Sequence, residues 1–141
     1  MDKNSGMQDL VQAVQSVALA FAATNDSPWP SLNPVITNAI GAFGAVSCAA
    51  SYIQIGKTVI YNGVITITSI GTASGGIFLP LPITAARANA GTLVGREFQV
   101  TGKGMTGTMD TIARCYLTFY DNTTGFTTGH KIQFSVTYEA A

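Results

Sequence analysis

The stretch that decides the fold is "SYIQIGKTVIYNGVITITSI", residues 51–70. From Thr58 onward its apolar side chains recur at every second position, which is the period of a half-buried β-strand. The residues expected on the buried face are Val59, Tyr61, Ile65 and Ile67. Asn62-Gly63 could form a hairpin turn, but a turn there would scatter the apolar residues over both faces. We therefore predict one continuous strand with Gly63 as a weak point or bulge, and a turn at Gly56 before it.

Two glycine motifs resemble nucleotide-binding loops. Gly56-Lys57-Thr58 ends like G-x-x-x-x-G-K-[ST], but that loop needs a glycine where this chain has Ser51, and a helix where a strand is predicted. "GKGMTG", residues 102–107, matches G-x-G-x-x-G, yet strand-forming residues follow it instead of a helix. Both motifs are interpreted as turns or loops between strands, and no cofactor is predicted.

Alternating apolar residues along the rest of the chain predict further strands. They are Ile77 and Leu79; Phe98 and Val100; Cys115, Leu117 and Phe119; and Ile132, Phe134, Val136 and Tyr138. Pro80 and Pro82 cannot donate to a central ladder and predict a strand end or a sheet edge. Strands at this density favour a mainly β domain over residues 35–141, in the form of a jelly-roll or Greek-key β-sandwich.

Residues 1–34 are predicted to serve oligomerisation and anchoring, with a short α-helix over about 7–24 and an extended, proline-rich linker. Apolar residues in the helix recur at spacings of three and four, like the a/d seam of a coiled coil. They are Met7, Leu10, Val14, Val17 and Phe21. Because so short a helix is marginal alone, the seam must pack on something: the chain's own β domain, two further copies, or a foreign subunit. Trp29, between two prolines of the linker, is a candidate anchor on a neighbouring surface, and the alternative is that it covers the base of its own domain.

Composition and charge exclude several classes of function. Charged residues make up 10% of the chain, with seven acids against seven bases, whereas typical soluble domains have about 25%. A surface with so little charge is expected to be covered by sister subunits or a larger assembly. No basic patch is present to bind a nucleic acid, and no apolar run reaches the roughly 18 residues that would span a membrane.

The residues that could act in catalysis or bind a metal do not form a recognisable catalytic or metal-binding set. Cys48 and Cys115 are interpreted as buried thiols, and with His130 as the only histidine they cannot make a zinc site. His130 is expected to face solvent or to cap a strand, and Glu97 to pair with Arg96 on an exposed strand face. Neither a hydrolytic triad nor a carboxylate pair can be assigned. No catalytic or metal-binding residue is predicted, and the chain is not expected to be an enzyme.

Five segments carry a resemblance to a known family. They are "YIQIGKTVIYNGVITIT", "FLPLPITAA", "GREFQVTGKGM", "YLTFYDN" and "FSVTYEAA", within residues 50–141. Together they resemble a domain that recurs in bacteriophage and prophage virion proteins, often at the C-terminus of fibre or head-decorating chains. The resemblance implies a β-sandwich displayed on a virion, commonly oligomeric, with an N-terminal portion that attaches to the particle. Unlike long fibres, this chain has almost no shaft.

The expected function is therefore that of a non-enzymatic virion structural protein on the capsid exterior, as a decoration, cement or short head-fibre protein. It would be made in the host bacterial cytoplasm and bind the major capsid protein or another virion protein. A homo-oligomer is expected, with a trimer favoured. The alternative is a receptor-binding tip module of a tail fibre that recognises a host glycan, with Tyr116, Tyr120 and Phe126 as candidate stacking residues.

Overall fold

The computed structural model describes residues 3–26 and 29–141, and within the N-terminal helix it describes the side chains of residues 5–17. These residues form one α-helix and nine β-strands, so the chain is mainly β, as predicted. The elements are α1 (Lys3–Asp26), β1 (Ser31–Leu32), β2 (Thr37–Asn38), β3 (Ala45–Ile55), β4 (Thr58–Ser69), β5 (Ile77–Pro80), β6 (Gly91–Glu97), β7 (Gly104–Thr111), β8 (Arg114–Phe119) and β9 (Lys131–Glu139). The helix is longer at both ends than predicted, and β1 lies inside the predicted linker.

All nine strands belong to one antiparallel sheet, in the order β1-β3-β4-β9-β6-β7-β8-β5-β2. A flat sheet of this size would place its edge strands about 38 Å apart, at about 4.8 Å per strand. The edge strands β1 and β2 are joined by only residues 33–36, which allow at most about 18 Å between Leu32 and Thr37. The sheet must therefore curl until its edges are close. A hydrogen bond of 3.2 Å from the Tyr61 hydroxyl in β4 to the Pro80 carbonyl in β5 shows this curling, because four strands separate β4 from β5.

The hydrophobic core lies on the inner face of the curled sheet. The predicted alternation in β4 is confirmed, because Val59, Tyr61, Ile65 and Ile67 are all fully buried. Strand β9 contributes four more buried side chains at alternate positions, namely Ile132, Phe134, Val136 and Tyr138. The predicted apolar residues of β5 and β8 are buried opposite them, and β5 ends at Pro80 as predicted.

Strand β4 runs without interruption through Gly63, as predicted. Gly63 lies opposite Ala50 of β3 and Phe134 of β9, at an inward-facing position. A Cβ there would lie 2.7 Å from Cζ of Phe134 and 2.8 Å from the carbonyl oxygen of Ala49. The missing side chain makes room for the Phe134 ring, which packs edge-on against Tyr61 at 5.2 Å between centroids.

We expect Gly63→Ala to lower the free energy of unfolding by about 2 kcal/mol, because the added methyl group overpacks the core around Phe134. Gly104→Ala is the matched control, since Gly104 also lies in a strand and a Cβ there meets nothing within 4 Å. Urea unfolding of the two variants beside the wild type measures the difference. Equal stability of the two variants would contradict the close packing described at Gly63.

One predicted strand is wrong. The alternation of Phe98 and Val100 predicts a strand, but β6 ends at Glu97 and both residues lie in the loop that follows. The physical reason is the Glu97 carboxylate, which accepts hydrogen bonds from backbone N–H groups of residues 99–102 and so bends the chain. Phe98 and Val100 are exposed on this loop.

Candidate functional site

The N-terminal helix presents an uncovered apolar stripe. The predicted seam residues whose side chains are described are Met7, Leu10, Val14 and Val17. They are between 60% and 71% exposed. Val11, which the heptad pattern does not include, is also exposed and widens the stripe. Phe21 lies within α1, but its side chain is outside the described part. Packing of these four residues on the chain's own β domain, one of the three alternatives, is therefore not observed.

Trp29 lies where the chain enters the sheet. The carbonyl of the next residue, Pro30, accepts a hydrogen bond of 3.3 Å from the backbone N–H of Tyr52. Ser31 and Leu32 then pair with β3. The backbone at Trp29 is thus fixed within one residue of the sheet, while 37% of Trp29 remains exposed. Its role as an anchor on a neighbouring surface stays a prediction.

A trough crosses the outer face of the sheet over β1, β3, β4, β9 and β6, where strand pairing sets side chains in two rows. The first row is Ser31, Ser51, Asn62, Ser135 and Val94. The second row is Ala49, Val64, Gln133 and Arg96. These rows and Asn33 line a volume of about 900 Å³, within the range of about 300–1,000 Å³ that small-ligand sites occupy.

Arg96 carries a positively charged group at one end of the trough. Its Nε donates to the Gly102 carbonyl oxygen at 3.2 Å, which fixes the guanidinium plane. Lys131 lies on the same face, two residues before Gln133 in β9. Among the described residues, ion pairs form elsewhere, and neither Arg96 nor Lys131 has a carboxylate partner. This end of the trough therefore carries two cationic side chains that form no ion pair with a described carboxylate.

Glu97 points away from the trough into the protein and is fully buried. Its carboxylate accepts hydrogen bonds from the Thr101 hydroxyl and from the backbone N–H groups of Gln99, Val100, Thr101, Gly102 and Lys131. Burial by itself raises the pKa of Glu97, but these hydrogen bonds, led by those from Thr101, lower it from 4.5 to about 2. The predicted charge pair with Arg96 on one exposed face is wrong, because neighbouring residues of a strand face opposite sides.

The remaining chemistry-bearing residues are structural. His130 is buried rather than solvent-facing, with Nδ1 accepting the backbone N–H of Thr127 at 3.3 Å and the ring edge-on to Phe119 at 6.0 Å. This local bond to the chain just before β9 fits the capping alternative. Cys48 and Cys115 are buried free thiols, as predicted, and burial raises the pKa of each to about 12. A thiol that stays protonated at neutral pH is a poor nucleophile.

The described part of the chain contains neither a cluster of metal-ligating side chains nor a helix that could span a membrane. Among residues 3–26 and 29–141, no three His, Cys, Asp or Glu side chains cluster so that they could hold a metal ion. Within the same ranges, no helix has both the length and the apolar character needed to cross a membrane.

The aromatic residues named for glycan stacking do not form one platform. Phe126 is buried and stacks on Phe119 at 4.8 Å between centroids. Tyr116 is half-buried against Phe78 at 5.5 Å. Tyr120 alone of the three is exposed, at 66%. A stacking surface built from all three is therefore not present.

Comparison of the chain with protein-family models, with curated proteins and with solved structures gives no match.

Proposed function

We propose that this chain is a non-enzymatic structural protein of a bacteriophage virion, attached to the capsid exterior as a decoration, cement or short head-fibre protein. The observation that carries the proposal is the apolar stripe of α1, whose described side chains are exposed in the single chain. Apolar stripes of this spacing are stable when another helix or a partner surface covers them. The low charge of the chain and its resemblance to virion domains over residues 50–141 support the same function.

The stripe supports self-association as well as attachment. Three copies of α1 would cover the seam residues in a short coiled coil, and the β domains would then surround that axis. Self-association is favoured because every copy presents the same stripe, and a homotrimer is the form that we propose. The major capsid protein or another virion protein is the proposed surface on which this assembly sits.

The proposed form of the β domain is a two-layered Greek-key sandwich of jelly-roll type. Two features support it. Strands β6 to β9 lie in the spatial order β9-β6-β7-β8, which is the 4-1-2-3 order of a Greek key. In addition, the hydrogen bond from the Tyr61 hydroxyl to the Pro80 carbonyl brings β4 across to β5, as two facing layers require.

A receptor-binding tip module that recognises a host glycan is the second candidate function. The trough favours it, because polar and apolar side chains from adjacent strands line it together. Of the three residues predicted to stack on a glycan, only Tyr120 is exposed, and it does not line the trough.

A binding count tests the proposed function. Labelled full-length protein is titrated to saturation on phage particles that lack it and, separately, on intact host cells. We expect saturation on particles at hundreds of copies, because a decoration protein occupies repeated sites of the capsid lattice. Saturable binding to cells with none to particles would contradict capsid attachment and support the receptor-binding candidate.

A further inference from the structure

The floor of the trough offers hydrogen-bonding groups that the chain itself does not use. Ser51, Asn62, Gln133 and Ser135 lie on adjacent strands, none of the four is buried, and no hydrogen bond of their side chains is found among the described residues. An asparagine or glutamine amide can donate two hydrogen bonds and accept two, and a serine hydroxyl can do both. Neighbouring strands are about 4.8 Å apart, so the three strands that carry these groups spread them over about 10 Å. This length suits an extended ligand with hydroxyl groups at regular intervals.

Small and apolar side chains also line the trough. Ala49, Ser51 and Ser135 are among its small lining residues, while Val64 and Val94 supply apolar surface beside the polar groups. Asn62 and Ser135 are half-buried, so their polar groups remain accessible to a ligand. The apolar side chains can contact the C–H groups of a sugar ring, and the polar side chains can form hydrogen bonds with its hydroxyl groups.

The charges of the trough select for a ligand with negative charge. Arg96 is the only charged side chain among the described residues that line it, and Lys131 lies on the same face nearby. The carboxylates of the described β domain already have partners: Glu97 bonds to the loop and to the Lys131 backbone, Asp110 pairs with Arg114, Asp121 with Lys103, and Glu139 with Arg87. Two cations are too few for a nucleic acid, which is held by many phosphate contacts. They are sufficient for a single carboxylate.

We propose that the trough binds an acidic oligosaccharide. A carboxylate of a sugar acid pairs with Arg96 and Lys131, and hydroxyl groups of the following units bond to Gln133, Asn62 and Ser51. No described residue of α1 lines the trough, so the proposed binding does not depend on what covers the apolar stripe. It deepens the receptor-binding candidate and does not depend on capsid attachment.

Calorimetric titration of the full-length protein tests the proposal, with a hexuronate-containing tetrasaccharide and its carboxyl-reduced form as probes. Arg96→Gln should weaken binding of the acidic form by about tenfold or more, the loss of a charge-assisted hydrogen bond, and leave the carboxyl-reduced form unaffected. Asn62→Ala should weaken both forms. Arg87→Gln is the matched control, because Arg87 is an exposed arginine paired with Glu139 rather than with the trough. It should bind like the wild type.

Amide chemical-shift changes locate the bound probe. We expect the largest changes at residues 49–51, 62–64, 94–96 and 133–135. Three results would overturn the proposal: no heat with either probe at millimolar concentration, shift changes confined to Phe98 and Tyr120, or equal affinity in wild type and both trough variants. Thermal unfolding of each variant shows that lost binding is not lost folding. Binding to capsids would be unaffected in Arg96→Gln, so failure of this proposal and failure of the capsid proposal give different results.

Discussion

Replacing Glu97 with alanine is expected to lower the free energy of unfolding by about 4 kcal/mol. The side chain is fully buried, and six donors converge on its carboxylate, five from the following loop and one from Lys131 in β9. A buried donor left without its partner costs about 1–3 kcal/mol, and hydrogen bonds to a charged group are the stronger ones. In the variant the loop can open so that water bonds some of these donors. The expected loss of stability is therefore less than the summed cost of six unpaired donors. Urea unfolding measures it.

The loop should change more than the sheet in this variant. The backbone N–H groups of residues 99–102 bond to the Glu97 carboxylate, whereas β6 and β9 pair through their backbones. We therefore expect hydrogen exchange to accelerate in residues 99–102 and to change little in β4. Full stability of Glu97→Ala, with slow exchange retained in the loop, would contradict the role assigned to the carboxylate.

The pH dependence of stability follows from the same group. The pKa of Glu97 is about 2 in the folded protein and 4.5 in its ordinary state, so between these values the unfolded chain binds more protons. The stabilisation is complete above about pH 4.5 and is lost as the pH falls toward 2, by an amount on the order of 3 kcal/mol. Glu97→Gln should flatten this part of the profile. Asp121→Asn is the control. The pKa of Asp121 is also lowered, by hydrogen bonds from Thr123, but Asp121 is exposed, so this variant should change the profile less than Glu97→Gln does.

The sheet could be predicted from the sequence wherever a strand is long and buried on one face. Val59 to Ile67 and Ile132 to Tyr138 alternate cleanly because one side of each strand faces the core. Alternation fails as a predictor of a strand at Phe98 and Val100. These residues belong to a loop whose backbone N–H groups bond to the Glu97 carboxylate. Lys131, one of the six donors to Glu97, lies 34 residues away along the chain. Local pattern carries no information about a partner at that distance.

The trough could not be predicted for a related reason. Its polar side chains come from five strands, and only the register brings Asn62 opposite Ser51 on one side and Ser135 on the other. In the sequence each is an ordinary outward-facing residue of a strand. The stripe on α1 could be predicted, because all its members come from one helix and the spacing alone puts them on one face. What the structure adds is that this face is exposed in the single chain.

The double change Leu10→Asp and Val14→Asp is expected to abolish self-association and attachment to the capsid. Both side chains are about 60% exposed in the single chain, so a partner helix would bury them. Burying a side chain of this size contributes about 1.5–3 kcal/mol, which for two residues in three copies is on the order of 10 kcal/mol per trimer. Six carboxylates brought to one axis would oppose assembly further. Light scattering after size-exclusion chromatography should show monomers.

The matched control carries the same added charge at other positions of α1. Gln12→Asp with Gln15→Asp changes two exposed residues that the heptad places outside the seam, so this variant should assemble and attach like the wild type. Both variants should keep the urea midpoint of the β domain, since the seam side chains do not contribute to the core. A stable oligomer in the seam variant would contradict assembly through α1. Monomers that still saturate the capsid would move the attachment site from the helix to the β domain, because the two functions assigned to the stripe would then be separate.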